Sequence, residues 1–148
     1  MKLSKQKLEQ AKKLLFEIQV YFDAIIEIIG GEFVKASIID IAYGILKSIK
    51  NKLDKYSDLP IEKKKLQRKI LKSIRIKYLY LKALLIGLQR LYSDDNYPTD
   101  RLTDFAILNL DKFYDVISWN INILFIFFII RKNGINIIYV IKKQLKEK

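Results

Sequence analysis

Leu8, Ala11, Leu15, Ile18, Phe22, Ile25 and Ile29 recur at steps of three and four residues, the period at which an α-helix returns to the same face. A strand would bring its apolar side chains back at every second position. This opening stretch can therefore bury them together only as a helix, and the same spacing recurs three more times downstream. Phe33, Ile38, Ile41, Ala42, Ile45, Ile49 and Leu53 form the expected buried stripe of a second helix, over about residues 32–56. Leu66, Ile70, Ile74, Tyr78, Leu81, Leu85 and Leu88 mark a third, reaching to about Tyr92. Leu102, Phe105, Ala106, Leu110, Phe113 and Ile117 mark a fourth.

The breaks between these runs carry their own signals. Gly30-Gly31 closes the first run, with Gly30 as the residue just past the helix end. Asp58 is expected to cap the third helix, and Pro60 to sit in its first turn, where a missing N–H costs nothing. Thr99 or Asp100 opens the fourth helix, and Asp100 and Asp104 complement its dipole. The remaining breaks are Ser93 to Thr99 and Asn133-Gly134.

From Ile121 onward the apolar residues spread all round the helical wheel (INILFIFFII), which suits a buried central helix followed by a short one. A β-hairpin over 121–141 is the alternative. INILFIFFII and INIIYVI are rich in β-branched and aromatic residues, and Asn-Gly is a strong hairpin turn. The hairpin's two faces would both be apolar, which a lone ribbon cannot cover. A membrane span fits less well: the apolar stretch 116–130 falls short of the roughly 20 residues a bilayer core requires, and it contains Ser118, Asn120 and Asn122. The expected fold is all-α, one domain over residues 1–148, built as a bundle of four to five antiparallel helices. An α+β fold carrying the 121–141 hairpin is its rival.

Composition narrows the chemistry. Of 148 residues none is Cys and none is His, so disulfides, thiolate nucleophiles, Cys/His zinc sites and imidazole acid–base catalysis are all excluded. Five Gly and two Pro argue against β-sandwiches and Gly-rich phosphate loops. Acid–base work would fall to carboxylates, Lys or Tyr. Asp100, Asp104, Asp111 and Asp115 share one helical face and could in principle hold Mg²⁺. The other segments offer only scattered acids (Asp23, Glu27, Asp40) to converge on such an ion, so the stripe reads as a solvated or ion-paired face. A non-catalytic protein is expected, with no cofactor, no metal and no small-molecule substrate.

Charge is the more informative property. The chain carries 28 Lys+Arg against 16 Asp+Glu, a net +12. Ile outnumbers Val 26 to 4 and Lys outnumbers Arg 23 to 5, a bias that AT-rich coding produces and that also suits a thermophile, a virus or a mobile element. Part of the +12 is therefore compositional. The excess is nevertheless concentrated: residues 51–92 hold 12 basic and 3 acidic side chains, and 93–130 hold 2 basic and 6 acidic. Positions 63–77 contain eight basic residues and no acidic one, whereas a face built for solubility intersperses both signs. At 100° per residue Lys65, Arg68, Lys69, Lys72 and Arg75 fill an arc of about 120° opposite the apolar stripe. Lys47, Lys50, Lys52 and Lys55 lie just across the turn from Lys63 and Lys64.

Such a stripe matches the phosphate backbone of a nucleic acid, held without reading sequence. The protein would act alone or as a subunit of a nucleoprotein complex. The alternative is an adaptor or inhibitor that docks an acidic protein surface through its charged faces. Tyr78 and Tyr80 lie beside the stripe, where an aromatic ring can stack on an unpaired base, although Tyr78 projects into the apolar arc. No secretory signal pattern opens the chain, so a cytoplasmic location without membrane attachment is expected. Trp119 lies beside Val116, Ile123 and Phe127 at helical spacing and should be buried. Its fluorescence should resist quenching by aqueous iodide, and efficient quenching in the native protein would contradict that placement.

Overall fold

The computed structural model describes residues 3–30, 33–92 and 97–133, the side chains of residues 33, 92, 97 and 119–133 excepted. It contains four helices: α1 (Lys5–Ile29), α2 (Phe33–Asp58), α3 (Lys64–Tyr92) and α4 (Tyr97–Asn133). No β-strand occurs among the described residues, so the fold is an all-α helical bundle. The chain divides into two compact units, Met1–Ile117 and Ser118–Lys148. The first holds α1, α2, α3 and α4 as far as Ile117. In the second, residues 118–133 are helical.

Helix α1 is bounded by local chemistry at both ends. Ser4 caps it: its side chain accepts from the Lys7 N–H at 3.2 Å, and its carbonyl accepts from Leu8 N–H. This satisfies backbone donors that a helix start leaves unpaired. At the other end the Gly30 N–H donates to Ile26 O at 3.2 Å. Gly30 sits at φ +60°, a backbone region in which a Cβ meets steric resistance. The seven apolar residues read from the α1 period are all buried, joined by Leu3.

The helices alternate in direction. Along α1 and α2, partners climb on one helix as they descend on the other. Leu3 N–H donates to Tyr56 Oη at 2.7 Å, Lys12 pairs with Asp54, Lys50 donates to Gln19, and Phe22 meets the Tyr43 ring. Helix α2 packs along α3 across the short turn 59–63. The 97–117 part of α4 runs antiparallel to α1, with Asn109 donating to Glu17 and Phe105 set 5.8 Å from the Tyr21 ring. It also runs antiparallel to α3, through Tyr78–Asp111 and Gln89–Asp104. The core between them holds Ile18, Phe22, Ile25, Ala42, Ile49, Leu53, Ile74, Leu81, Leu85, Leu110 and Phe113, all out of reach of water.

The structure rotates or shifts three of the expected stripes. On α2 the buried residues are Ile39, Ala42, Leu46, Ile49, Leu53 and Tyr56, while Ile41 is exposed and Ile38 and Ile45 are half-buried. The helix is apolar on more than one side, so period alone does not decide its rotation. Packing Tyr56, whose hydroxyl satisfies the Leu3 N–H, helps decide it. On α3 the inward residues near the start are Gln67 and Leu71, with Leu66 exposed and Ile70 half-buried. On α4, Thr99, Thr103 and Asn109 are buried while Phe105 is exposed. Burial of Thr103 is tolerable because its hydroxyl donates to Thr99 O at 2.8 Å.

Helix α3 starts later than expected. Asp58 is the last residue of α2 and does not cap α3, and Pro60 lies in the turn ahead of Lys64. At the C-terminal end, residues 121–133 are helical, so the first strand of the alternative hairpin is not formed. The rest of that hairpin, 134–141, and the Trp119 side chain lie outside the described residues. Among the described residues no helix is long and apolar enough to cross a membrane.

The Tyr56–Leu3 bond makes a direct test of how the chain start is held. Both residues are buried, so Tyr56→Phe leaves an N–H without its partner and away from water. That should cost about 1–3 kcal/mol. Urea unfolding should show the loss with an unchanged helical circular dichroism spectrum, and an undiminished midpoint would refute the role given to this bond.

Candidate functional site

The turn between α2 and α3 sets where the basic stripe begins. Lys63 N–H donates to Pro60 O at 3.1 Å, and the Gln67 side-chain amide donates to the same carbonyl at 3.0 Å. Gln67 thus turns inward although it is polar, and that fixes the rotation of the first turns of α3. With Gln67, Leu71, Ile74, Tyr78, Leu81, Leu85 and Leu88 buried, the opposite side must face outward. Lys65, Arg68, Lys69, Lys72 and Arg75 are all exposed there, spaced over roughly 15 Å of helix axis at 1.5 Å per residue.

The stripe is not neutralised by its neighbours. Among the described residues Lys65, Arg68, Lys69 and Lys72 make no ion pair. Arg75 reaches another helix: its guanidinium lies 5.9 Å from the centre of the Tyr114 ring on α4, a cation–π distance. The neighbouring cations divide by role. Lys55, Lys63 and Lys64 are exposed at the same end, whereas Lys50 is half-buried and bound to Gln19. Lys47 is exposed and Lys52 half-buried.

The acids of α4 meet the other half of α3. Asp111 accepts from Tyr78 Oη at 2.6 Å and pairs with Lys82 Nζ at 2.9 Å. Asp104 accepts from Gln89. Tyr114 stacks on Tyr78 at 4.4 Å with the rings 16° from parallel. Two of the four acids of the α4 stripe, Asp104 and Asp111, are therefore committed to holding α4 on α3. Among the described residues no group of three or more carboxylates converges on one point.

The two tyrosines separate cleanly. Tyr78 is 6% exposed and belongs to the seam between α3 and α4, while Tyr80 is 65% exposed. Periodicity alone does not single out the outer face past Arg75, where Ile76 and Leu79 are also exposed. The signal is present in the residues: carried four positions further, the projection that groups the cations puts Ile76 and Leu79 inside the same arc.

Burial pushes the Tyr78 phenol well above the ordinary tyrosine value, and its hydrogen bond to Asp111 and that carboxylate's charge add to the shift. Tyr56 and Tyr43 shift the same way, each chiefly by desolvation. The folded state thus holds these protons more tightly than the unfolded chain does. Their contribution to stability is complete below the unfolded tyrosine pKa of about 10 and is lost as pH rises beyond it. Unfolding free energy should therefore fall steeply above about pH 10, and Tyr78→Phe should flatten that fall. An identical alkaline slope in the variant would show that Tyr78 takes no part.

Comparisons with protein families, with curated proteins and with solved structures find no match to this chain.

Proposed function

We propose that the protein binds the phosphate backbone of nucleic acid along α3, without catalysis and without reading sequence. The observation that carries this reading is the exposure of all five stripe cations on one helical face, four of them unpaired among the described residues. Like charges held side by side raise the local potential, and a polyanion relieves that repulsion while releasing its own counterions. Lys55, Lys63 and Lys64 widen the field at the turn end. Lys predominates over Arg, so point-charge contact with phosphates is favoured over the bidentate reading of guanine edges.

The test is replacement of Lys65, Arg68, Lys69, Lys72 and Arg75 by Gln in one variant. All five lie off the buried side of α3, so the fold should persist, as circular dichroism will verify. Affinity should fall on every oligonucleotide sequence tried. The log–log dependence of affinity on salt should flatten by roughly 0.7–0.9 for each phosphate that the variant no longer engages. Retained affinity with an unchanged salt slope would overturn the proposal.

A further inference from the structure

Past Arg75 the outer face of α3 changes character without changing direction. Ile76, Leu79 and Ala83 project into the arc of the five cations at 100° per residue, and Tyr80 borders it. Ile76 is 47%, Leu79 57% and Tyr80 65% exposed, and Ala83 is exposed as well. Gly87 continues the run into open space, for a Cβ built on it would meet nothing within 4 Å. Of the nearby cations Lys77 is half-buried and Lys82 is engaged by Asp111, while Arg90, exposed in the same arc, closes the patch at its far end. One face of one helix is thus cationic from Lys65 to Arg75 and apolar, with an open aromatic ring, from Ile76 to Gly87.

An occupant that covers both halves must carry negative charge and flat apolar surface in the same molecule. A second copy of this chain does not meet that condition. Laid parallel it would set stripe against stripe, and laid antiparallel on the apolar half it would leave both stripes uncovered. A duplex presents phosphates but keeps its base faces stacked inside. A single strand presents both, because each nucleotide joins a charged phosphate to an unpaired π-face.

We propose that α3 binds single-stranded nucleic acid, its phosphates running along Lys65, Arg68, Lys69, Lys72 and Arg75 and an unpaired base stacking on Tyr80 against Ile76 and Leu79. This rests on the phosphate-binding reading above and names its substrate class. The stacked base adds affinity for every base type, since the contact is with the ring face and not with its hydrogen-bonding edge.

The experiment measures fluorescence anisotropy of a labelled oligothymidine and of a mixed-sequence duplex of equal length, with the full chain. The wild type should prefer the single strand. Tyr80→Ala should weaken the single-strand complex by about tenfold and leave the duplex affinity unchanged, while Tyr80→Phe, which keeps the ring, should bind as the wild type does. Equal affinity for both forms, with Tyr80→Ala silent, overturns the inference. The phosphate-binding reading then still stands if the quintuple Gln variant loses affinity, and it falls too if that variant binds unchanged. Sedimentation showing a dimer that Leu79→Glu dissociates, or tight binding to phosphatidylserine vesicles that Tyr80→Ala abolishes, would assign the apolar half to another occupant and overturn the inference as well.

Discussion

A helix in a bundle buries one side only, and on α3 that choice decides what the helix offers to solvent. Leu71, Ile74, Tyr78, Leu81, Leu85 and Leu88 form an unbroken inward row. Turning α3 by the angle of one residue would carry Arg75 toward the core and Leu81 toward water. Burying a charge without a partner is among the most expensive changes a fold can suffer. The stripe of cations is therefore held outward from both sides, by what packs beneath it and by what its own charges refuse.

Two polar ties complete that constraint. Gln67 ties the first turn of α3 to Pro60, and the Tyr78–Asp111–Lys82 cluster ties its middle to α4. The second tie also settles the electrostatics. Asp111 and Asp104 spend their charge or hydrogen-bonding capacity on Lys82, Tyr78 and Gln89, at a distance along α3 from Lys65, Arg68, Lys69 and Lys72. Acid and base on adjacent helices do not cancel here, because their registers keep most of them apart. Arg75 is the junction: exposed in the stripe, yet set over the Tyr114 ring that stacks on Tyr78.

How much of this is legible from residues alone differs by helix, for physical reasons. On α1 one face is apolar and the rest mostly polar, so the period names every buried residue of the helix. On α2, Ile38, Ile39, Ile41, Ala42, Ile45 and Leu46 cover more than one face, and only packing against neighbours selects Ile39 and Leu46 over Ile41. The start of α3 falls later than its residues suggest because Asp58 and Pro60 are good helix-opening residues and α2 simply runs on through the former. On α4, hydropathy misleads: Thr103 enters the core by hydrogen bonding within its own helix, and Phe105 stays at the surface beside Tyr21. The INILFIFFII run illustrates the opposite case, a β-prone composition that is nonetheless helical. The basic stripe is the most legible part of the site, since charges without partners face water in nearly any packing. Its apolar continuation is not, because Ile76 and Leu79 resemble core residues until the burial of their neighbours is known.

Because all five cations stand on a single unbroken helix, their spacing along the axis is set by the backbone hydrogen-bond ladder and not by the ligand. The main chain would have nothing left to order on binding the proposed polyanion; only the side-chain rotamers of four or five long residues would have to settle. Such a surface is a stiff comb of charge. In the binding proposed above, a flexible chain would bend its phosphates to the teeth, and the ordering on association would fall mainly on the partner.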